Sequence, residues 1–592
     1  MGWPYHFVDL SDAGKIHRRE ALDRYAFYAQ LSALSPIALT LAYRAAAWSI
    51  KLATSRGGGY SAVPSSPSLK SQRLSASGGW CARFRRLKWW LGEDLIATKT
   101  ILGKRDQWVV GICYLGWLLM LCVLETGQDY LHFTKRLGII AASQFPIQYL
   151  LALKSLNPFA FAFRSSHEHI NRYHRVLGRV ISILLYLHIG LYINFMVQHG
   201  TLSRRLKAPV VMSGVVSSIL FNLLYLTALR PVRVYSYRLF FIVHLLVSFL
   251  TPVTLFRHAP PARIFLAESL LVFIADLISR KLDTVTGQAK LERIPGTNLV
   301  KITASLPSTK VNRFLLHPAS HVYLNLPTAA RKTLIGDPTS ISHLLFEFLF
   351  NPFTVAAVNH EAGNLTIVAR HRGGPMTAAL ARLAGGTKRL GPGNTSTATK
   401  EKIPLSIEGP YGVTTHFPRL SSGDFDRVLL VAGGVGATFT VPLYDSIVSE
   451  NPNAKVEMVW ALRRAGDATW AVAGAGSRGL LDNENVQIFL TGNALESGED
   501  RATSSGTGAG DGDVELSFLY MDRRRGRPTS GHHRKRPDLK KIVDDVFKHG
   551  SEEKVAVLVC GPQEMAKELR AHVGGWVKRG RVVWWHNEGF GF

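Results

Sequence analysis

The sequence predicts a multi-pass α-helical membrane domain of about seven helices, followed by an antiparallel β-barrel and an α/β doubly wound domain. Three observations carry this reading. Long apolar runs fill the first half of the 592 residues. Short β-rich runs follow them from about residue 285. Beyond residue 427 strand-like and helix-like stretches alternate, the mark of a parallel doubly wound sheet. A chain of this length exceeds one domain.

Seven segments have the length and apolarity to span a bilayer, near residues 28–50, 108–125, 137–154, 177–197, 208–229, 239–257 and 262–280. The third is interrupted by "SQFPIQ". Residues 51–107 are Ser/Gly-rich and then basic, ending in "RFRRLKWW", and read as a mobile cytoplasmic loop. With "RSSHEHINRYHR" and "RPVRVYSYR" also placed inside, the N-terminus lies outside and residues 281–592 lie in the cytoplasm. The basic "HGTLSRRLKAP" is then external, which counts against this orientation. The start, "MGWPYHFVDLSDAGKIHRRE", lacks the basic and apolar regions of a cleavable signal, so the first helix directs insertion.

The formal net charge is +28, from 70 Lys and Arg against 42 Asp and Glu. In a soluble protein that would suggest nucleic acid. Here much of the charge flanks apolar segments, where it meets anionic lipid, so the expected partner is the lipid bilayer and no nucleic acid. The four cysteines, Cys81, Cys113, Cys122 and Cys560, form no CxxC pair and suggest neither a disulfide framework nor a cysteine metal site.

In the second half, "KLERI", "NLVKITASL", "HVYLNLP", "FTVAAV" and "NLTIVAR" read as barrel strands, and "MTAALARLA" as a helix. "RVLLVAGG", "KVEMVWAL", "VQIFLTG" and "KVAVLVCG" read as parallel strands, with helices at "TVPLYDSIVSE" and "EMAKELRAHV". Two Gly/Ser/charge-rich inserts, 385–402 and 496–535, read as disordered surface loops.

The stretch "YHRVLGRVISILLYLHIG" sets His174 and His188 fourteen residues apart, and "FFIVHLLVSFLTPVTLFRH" does the same with His244 and His258. Fourteen residues advance a helix by roughly 21 Å and nearly complete four turns, so both imidazoles share one face. One span separates the two helices, so they cross in the same direction. His174 then pairs with His244 at the inner level, and His188 with His258 at the outer level. Two imidazoles fill both axial positions of a porphyrin iron, and two stacked b-type haems follow. His167 and His169 have no counterpart on the other helix and read as loop residues. Arg172, Arg175 and Arg179 suit haem propionates and, equally, ordinary positive-inside bias.

"VAGGVGATFTVPL" places Gly433, Gly434 and Gly436 between a strand and a helix, where backbone approaches a pyrophosphate and the helix N-terminus faces its charge. Arg463 and Arg464, at the next strand end, suit either a 2′-phosphate, favouring NADPH, or a solvent-exposed strand end. Cys560, before Gly561 and Pro562, lies at the carboxyl edge of a later strand, near a nicotinamide or as a small buried filler.

"NPFTV", "GPYG", "VAGGVGATF", "VCGPQEM" and the closing "HNEGFGF", in this order with the four histidines, resemble the ferric reductase family of fungi, within the ferric reductase/NADPH oxidase superfamily. The resemblance implies a tail, first helix and basic loop over 1–107 and a bis-haem membrane domain over 108–284. It implies a ferredoxin-reductase-like module beyond: an FAD barrel at 285–411 and an NADPH domain at 412–592. It also implies that Pro352, Phe353 and Thr354 lie against the isoalloxazine, with Asn351 where many members carry histidine. Gly374, Met376 and Thr377 resemble the opening of the FAD pyrophosphate helix, and Gly409 and Pro410 belong to the same set. The "PASH" at 318–321 stands where relatives often have Pro-Gly-Gln-His. Phe592 resembles the terminal aromatic that covers the flavin, with a plain hydrophobic anchor as the other reading.

The function so implied is electron transfer from cytosolic NADPH, by way of FAD and two haems, to ferric or cupric chelates outside the cell, supporting metal uptake. No catalytic acid or base is needed. The plasma membrane is the expected site, with the vacuolar membrane as alternative, and an iron permease or oxidase as a compatible partner. A superoxide-generating NADPH oxidase shares the same wiring. A haem-binding membrane subunit without enzymatic activity is the remaining alternative. The sequons at Asn364 and Asn394 fall in the cytoplasmic half and are expected to carry no glycan.

Overall fold

A computed structural model describes residues 4–55, 79–97, 100–335, 346, 349–385, 402–412, 414–421, 424–472, 480, 483–492, 532–533, 536–550 and 552–589. Contacts divide the chain into two units, one built from 1–61 and 90–282, the other from 62–89 and 283–591.

The first unit is helical. Helices α1 (Asp12–Ser55), α3 (Arg105–Val123), α4 (Tyr130–Ser143) with α5 (Phe145–Leu150), α6 (His167–Gln198), α7 (Pro209–Thr227), α8 (Tyr237–His258) and α9 (Arg263–Asp283) lie where the seven spans were expected. Helices α3, α6, α7 and α8 are each long and apolar enough to cross a membrane on their own. The third span is broken, as "SQFPIQ" indicated: α4 ends at Ser143, and Pro146, which has no N–H to give, sits in the first turn of α5. Leu118, Leu137, Ile140, Ile181, Leu184 and Leu266 form the buried centre of the unit.

Two expectations are corrected here. His167 and His169 lie in the first turn of α6, not in a loop, because the Ser166 side chain accepts from the His169 N–H and caps the helix. The 51–107 stretch is not wholly loop. It contains helix α2 (Trp80–Leu91) and a hairpin of β1 (Asp94–Ala97) with β2 (Thr100–Lys104).

The second unit begins with a closed antiparallel barrel in the order β3-β4-β7-β6-β5-β8: β3 (Val285–Arg293), β4 (Leu299–Ser305), β5 (His321–Asn325), β6 (Asn351–Asn359), β7 (Asn364–Arg370) and β8 (Ile403–Tyr411). Strand β8 pairs with both β3 and β5 and so removes the open edges. Ile302, Val322, Leu324, Leu365, Ile367 and Ile407 fill the interior, with helices α10 (Ser308–Leu315) and α11 (Pro375–Ala384) packed on it.

A six-stranded parallel sheet follows, ordered β12-β11-β10-β9-β13-β14: β9 (Arg427–Gly433), β10 (Val456–Leu462), β11 (Val486–Leu490), β12 (His532–His533), β13 (Lys554–Cys560) and β14 (Val582–Glu588). Alternation splits β9 between two cores. Leu430 and Ala432 face α12 (Ala437–Glu450), while Leu429 and Val431 face α13 (Leu539–Phe547) and α14 (Gln563–Lys578). Both faces are covered, as a doubly wound sheet requires. Most of the 385–402 and 496–535 inserts lies outside the described residues.

Candidate functional site

In the helical unit two of the four histidines meet ring to ring. The rings of His174 on α6 and His244 on α8 have centroids 6.2 Å apart. Two imidazole nitrogens each about 2 Å from a shared metal stand about 4 Å apart, with their ring centres farther again, so this separation suits one iron between them. Fourteen residues on, His188 and His258 are neighbours at the other end of the same two helices.

The other ring nitrogens are engaged by backbone. His174 Nδ1 lies 2.9 Å from the Gln148 carbonyl, His188 Nδ1 2.8 Å from that of Thr134, and His258 Nδ1 2.9 Å from that of Val210. A carbonyl can only accept, so each Nδ1 carries the proton and each Nε2 holds the lone pair that a metal would take; that of His174 accepts from the Gln148 side-chain amide at 3.3 Å, a bond that a metal would replace. Space is kept by glycine. A β-carbon on Gly138 would meet the His188 ring at 2.8 Å, and one on Gly214 would meet the His258 ring at 2.4 Å. His244 Nδ1 is buried and has no hydrogen-bond partner among the described residues. The four residues therefore fit bis-imidazole haem ligation. Among the described residues no three His, Cys, Asp or Glu gather as a metal cluster, so a site needing more protein ligands has no counterpart there.

The arginines divide. Arg172 is paired with Asp106 at 3.1 Å, and Arg179 lies over the Trp108 ring. Arg175 has Arg233 of the α7–α8 connection as its strongest charged neighbour, and Arg233 stands 5.9 Å from the Phe240 ring, which in turn contacts His244. Clustered guanidinium groups beside the inner pair favour an anion between them, the requirement of a propionate. Gln148, Gly138, Gly214 and Arg233 were not singled out from sequence. The two glycines give no local signal, since their role depends on a helix far away in the chain.

In the second unit the glycine loop sits at the carboxyl edge between β9 and α12. Gly434 has a φ of +56°, which glycine adopts freely. A β-carbon on Gly433 would lie 2.5 Å from Pro562, and one on Gly436 would lie 2.2 Å from the Cys560 carbonyl. The ends of β9 and β13 thus touch through glycine beside the start of α12, at the sheet's switch point, where such sheets bind ligands. Trp460 donates its indole N–H to the Gly434 carbonyl at 3.0 Å and fixes the loop. Gly561 and Pro562 lie against Gly433 from the β13 side, with Cys560 buried. Burial pushes the Cys560 thiol well above its ordinary value, and the Glu588 carboxylate adds to the shift. Glu588, opposite Cys560 in the β13–β14 register, is bonded to buried His586 at 2.7 Å.

Arg463 and Arg464 follow β10 and are both exposed. Arg464 donates to the Gly296 carbonyl at 3.2 Å, so of the two Arg463 is the better placed to meet a ligand phosphate. In the barrel, Pro352, Phe353 and Thr354 pair with Tyr323, Val322 and His321 across β5 and β6. Asn351 opens β6 beside them. Gly374 is the N-cap of α11, and Thr377 Oγ1 donates back to its carbonyl at 3.2 Å. Met376 is buried in the barrel core, so only its backbone N–H faces an anion at this helix start. Gly409, at a φ of +131°, precedes Pro410 at the end of β8. Phe592 lies outside the described residues.

Residues 137–255 match the ferric reductase like transmembrane component family, and residues 425–574 match the ferric reductase NAD binding domain. The ferric/cupric reductase transmembrane component 2 of Schizosaccharomyces pombe is 23% identical over 476 residues, covering 76% of this chain and 80% of that protein. A probable metalloreductase AIM14 of Meyerozyma guilliermondii is 24% identical over 468 residues, covering 76% and 84%. Among solved structures, a flavohemoglobin from Malassezia yamatoensis is 13% identical and covers 76% of this chain and 96% of that one, at a TM-score of 0.33. This multi-pass membrane protein thus carries, in this order on one chain, a match to a ferric reductase membrane domain and a match to a ferric reductase NAD binding domain.

Proposed function

We propose that the protein is a metalloreductase that moves electrons from cytosolic NADPH to ferric or cupric chelates outside the cell, with FAD and two b-type haems as its carriers. The observation that carries this reading is the His174–His244 pair, 6.2 Å between ring centres with His174 Nδ1 anchored on the Gln148 carbonyl. The relatives named for ferric, cupric or metal reduction support the acceptor class.

When bound, FAD would take one hydride, an electron pair, from NADPH and supply its two electrons one at a time, as the one-electron chemistry of haem iron needs. The chain's own residues hold these groups. The glycine loop and the start of α12 receive the nucleotide pyrophosphate, while Arg463 reads the 2′-phosphate. The start of α11 receives the flavin pyrophosphate, and Pro352, Phe353 and Thr354 bound the ring. The carbonyls of Gln148, Thr134 and Val210 hold three imidazoles by Nδ1, so that Nε2 of each would be the atom that binds iron. The reductase half lies in the cytoplasm, the N-terminus outside, and the plasma membrane is the working location.

The test uses whole cells expressing the full chain. NADPH-dependent reduction of an impermeant ferric chelate is measured beside oxygen uptake. His188→Ala should abolish chelate reduction and leave NADPH oxidation by a soluble flavin-linked dye intact. Full chelate reduction in that variant would sink the proposal, and oxygen uptake without added metal would assign the superoxide-forming reading instead.

A further inference from the structure

Helix α2 carries two opposite faces. At 100° per residue, Ala82, Arg85 and Trp89 cluster on one side, and Trp80, Phe84, Leu87 and Leu91 lie about 165° away on the other. The first side is covered within the second unit. Arg570 of α14 donates to the Trp89 carbonyl at 3.0 Å and lies 4.2 Å over its ring, and Arg85 donates to the Gly580 carbonyl at 3.3 Å. The fit is close enough that a β-carbon on Gly574 would stand 2.8 Å from Trp89 Nε1.

The second side is bare. Trp80 is 83% exposed, Phe84 67% and Leu87 51%. An aromatic and aliphatic stripe over three turns is costly to leave in water, at about 25 cal/mol per Å² of apolar surface. Exposed Arg83, Arg86 and Lys88 lie outside the stripe, and "WCARFRRLKWWL" contains no acidic residue.

The chain beyond the helix runs into a membrane span. Within the first unit, Arg105, the first residue of the spanning helix α3, donates its backbone N–H to the Glu93 carbonyl at 3.0 Å. Its guanidinium bonds the Glu93 carboxylate and lies 4.8 Å over the Trp90 ring. Trp90 and Glu93, in the last turn of α2 and just beyond it, are therefore held at the start of α3 within the first unit. A basic helix with an aromatic stripe, followed this closely in the chain by a transmembrane helix, has the composition of an interfacial helix, which lies about 5–10 Å deep in the headgroup boundary.

We propose that α2 is a membrane-surface helix: Trp80, Phe84 and Leu87 insert among the headgroups of an anionic leaflet, and Arg83, Arg86 and Lys88 contact its acidic lipids. A juxtamembrane basic residue gains most where lipids such as phosphatidylserine are present, so the contact depends on lipid charge. The inference needs only the membrane location of the chain and is independent of which metal complex is reduced.

The test places a benzophenone amino acid at Phe84 or, as control, at Ala82, in the full-length protein in nanodiscs with or without phosphatidylserine. After illumination, lipid adducts at position 84 are counted by mass spectrometry. Expected are lipid adducts at 84, enriched in phosphatidylserine beyond its share of the disc, and protein adducts at 82. Arg83→Glu, Arg86→Glu and Lys88→Glu together should remove that enrichment while thermal unfolding stays unchanged. Absence of lipid adducts at 84 in both discs would overturn the insertion, and enrichment surviving the triple reversal would overturn the role of the basic residues.

Discussion

The imidazole of His188 fills the space that a side chain at Gly138 would need, with 2.8 Å between the ring and a β-carbon built on that glycine. Such a contact is too short to bear, so either the ring or helix α4 must shift, at a cost of about 1–3 kcal/mol. Gly138→Ala should therefore weaken haem retention at the outer level and spare the inner pair. The haem-to-protein ratio of purified material should fall by about half, and Gly214→Ala, with its 2.4 Å approach to His258, should do the same. An unchanged ratio in both variants would show that these glycines do not guard a haem site.

Nucleotide preference is expected to rest mainly on Arg463. A guanidinium bond to a 2′-phosphate contributes roughly 1.5–3 kcal/mol. Arg463→Ala should raise the Kd for NADPH by about tenfold or more and leave NADH nearly unaffected. Arg464→Ala should matter less for the phosphate, because that side chain already bonds the Gly296 carbonyl. Equal weakening of both nucleotides in the Arg463 variant would assign the reading of the phosphate to another group.

Cys560 should be chemically quiet. Its thiol is buried and its proton held more tightly than in water, so almost no thiolate exists near neutral pH, and the thiolate is the reactive form. Alkylation of the folded protein at pH 8 should label exposed Cys81 and leave Cys560 unlabelled. Rapid labelling of Cys560 would mean that β13 opens readily at its carboxyl edge.

Asp283 gives the barrel a pH dependence. Burial alone would raise its carboxyl, but Lys310 at 2.9 Å and Arg313 at 2.6 Å outweigh that and hold it below the ordinary value. A carboxyl depressed by folding stabilises above its unfolded pKa of about 3.9 and loses that contribution as pH falls through the folded value. Asp283→Asn should cost about 1–3 kcal/mol near pH 7. The gap to wild type in thermal unfolding of the full chain should close in acid. A constant gap across pH would trace the loss to packing, or to the bond that Asp283 accepts from the Gly409 N–H.

Orientation can be read from glycan. Asn364 opens β7 and accepts a bond from Ser305, while Asn394 lies outside the described residues. Neither should be modified in protein from a glycosylating host, as shown by unchanged mobility after endoglycosidase treatment. A glycan on Asn364 would place the barrel outside the cell, away from NADPH.

Much of this was legible because each signal was local and periodic. The fourteen-residue spacing of His174 and His188 is a helical repeat, and "VAGGVGATF" announces a strand, a tight turn and a helix in order. What was missed depended on distant partners. Strand β8 opens on Ile403 and Pro404 and carries buried Glu408, so neither its proline nor its charge reads as a barrel interior; its role appears only when β3 and β5 close on it. Strand β14, with Trp584, Trp585 and His586, lacks clean alternation because it is an edge strand with aromatic neighbours on both faces. The stripe of α2 was hidden among its arginines, and "RFRRLKWW" read simply as charge.

The strand order of the parallel sheet also sets which of its strands can tolerate change. Strand β9 is held on both sides, by β10 and by β13, and carries the glycine loop at its end, while β11 and β12 lie at the margin beyond β10. A substitution that loosens the β11–β12 pairing therefore leaves the register of β9 with its two neighbours, and the loop that register positions, as they are.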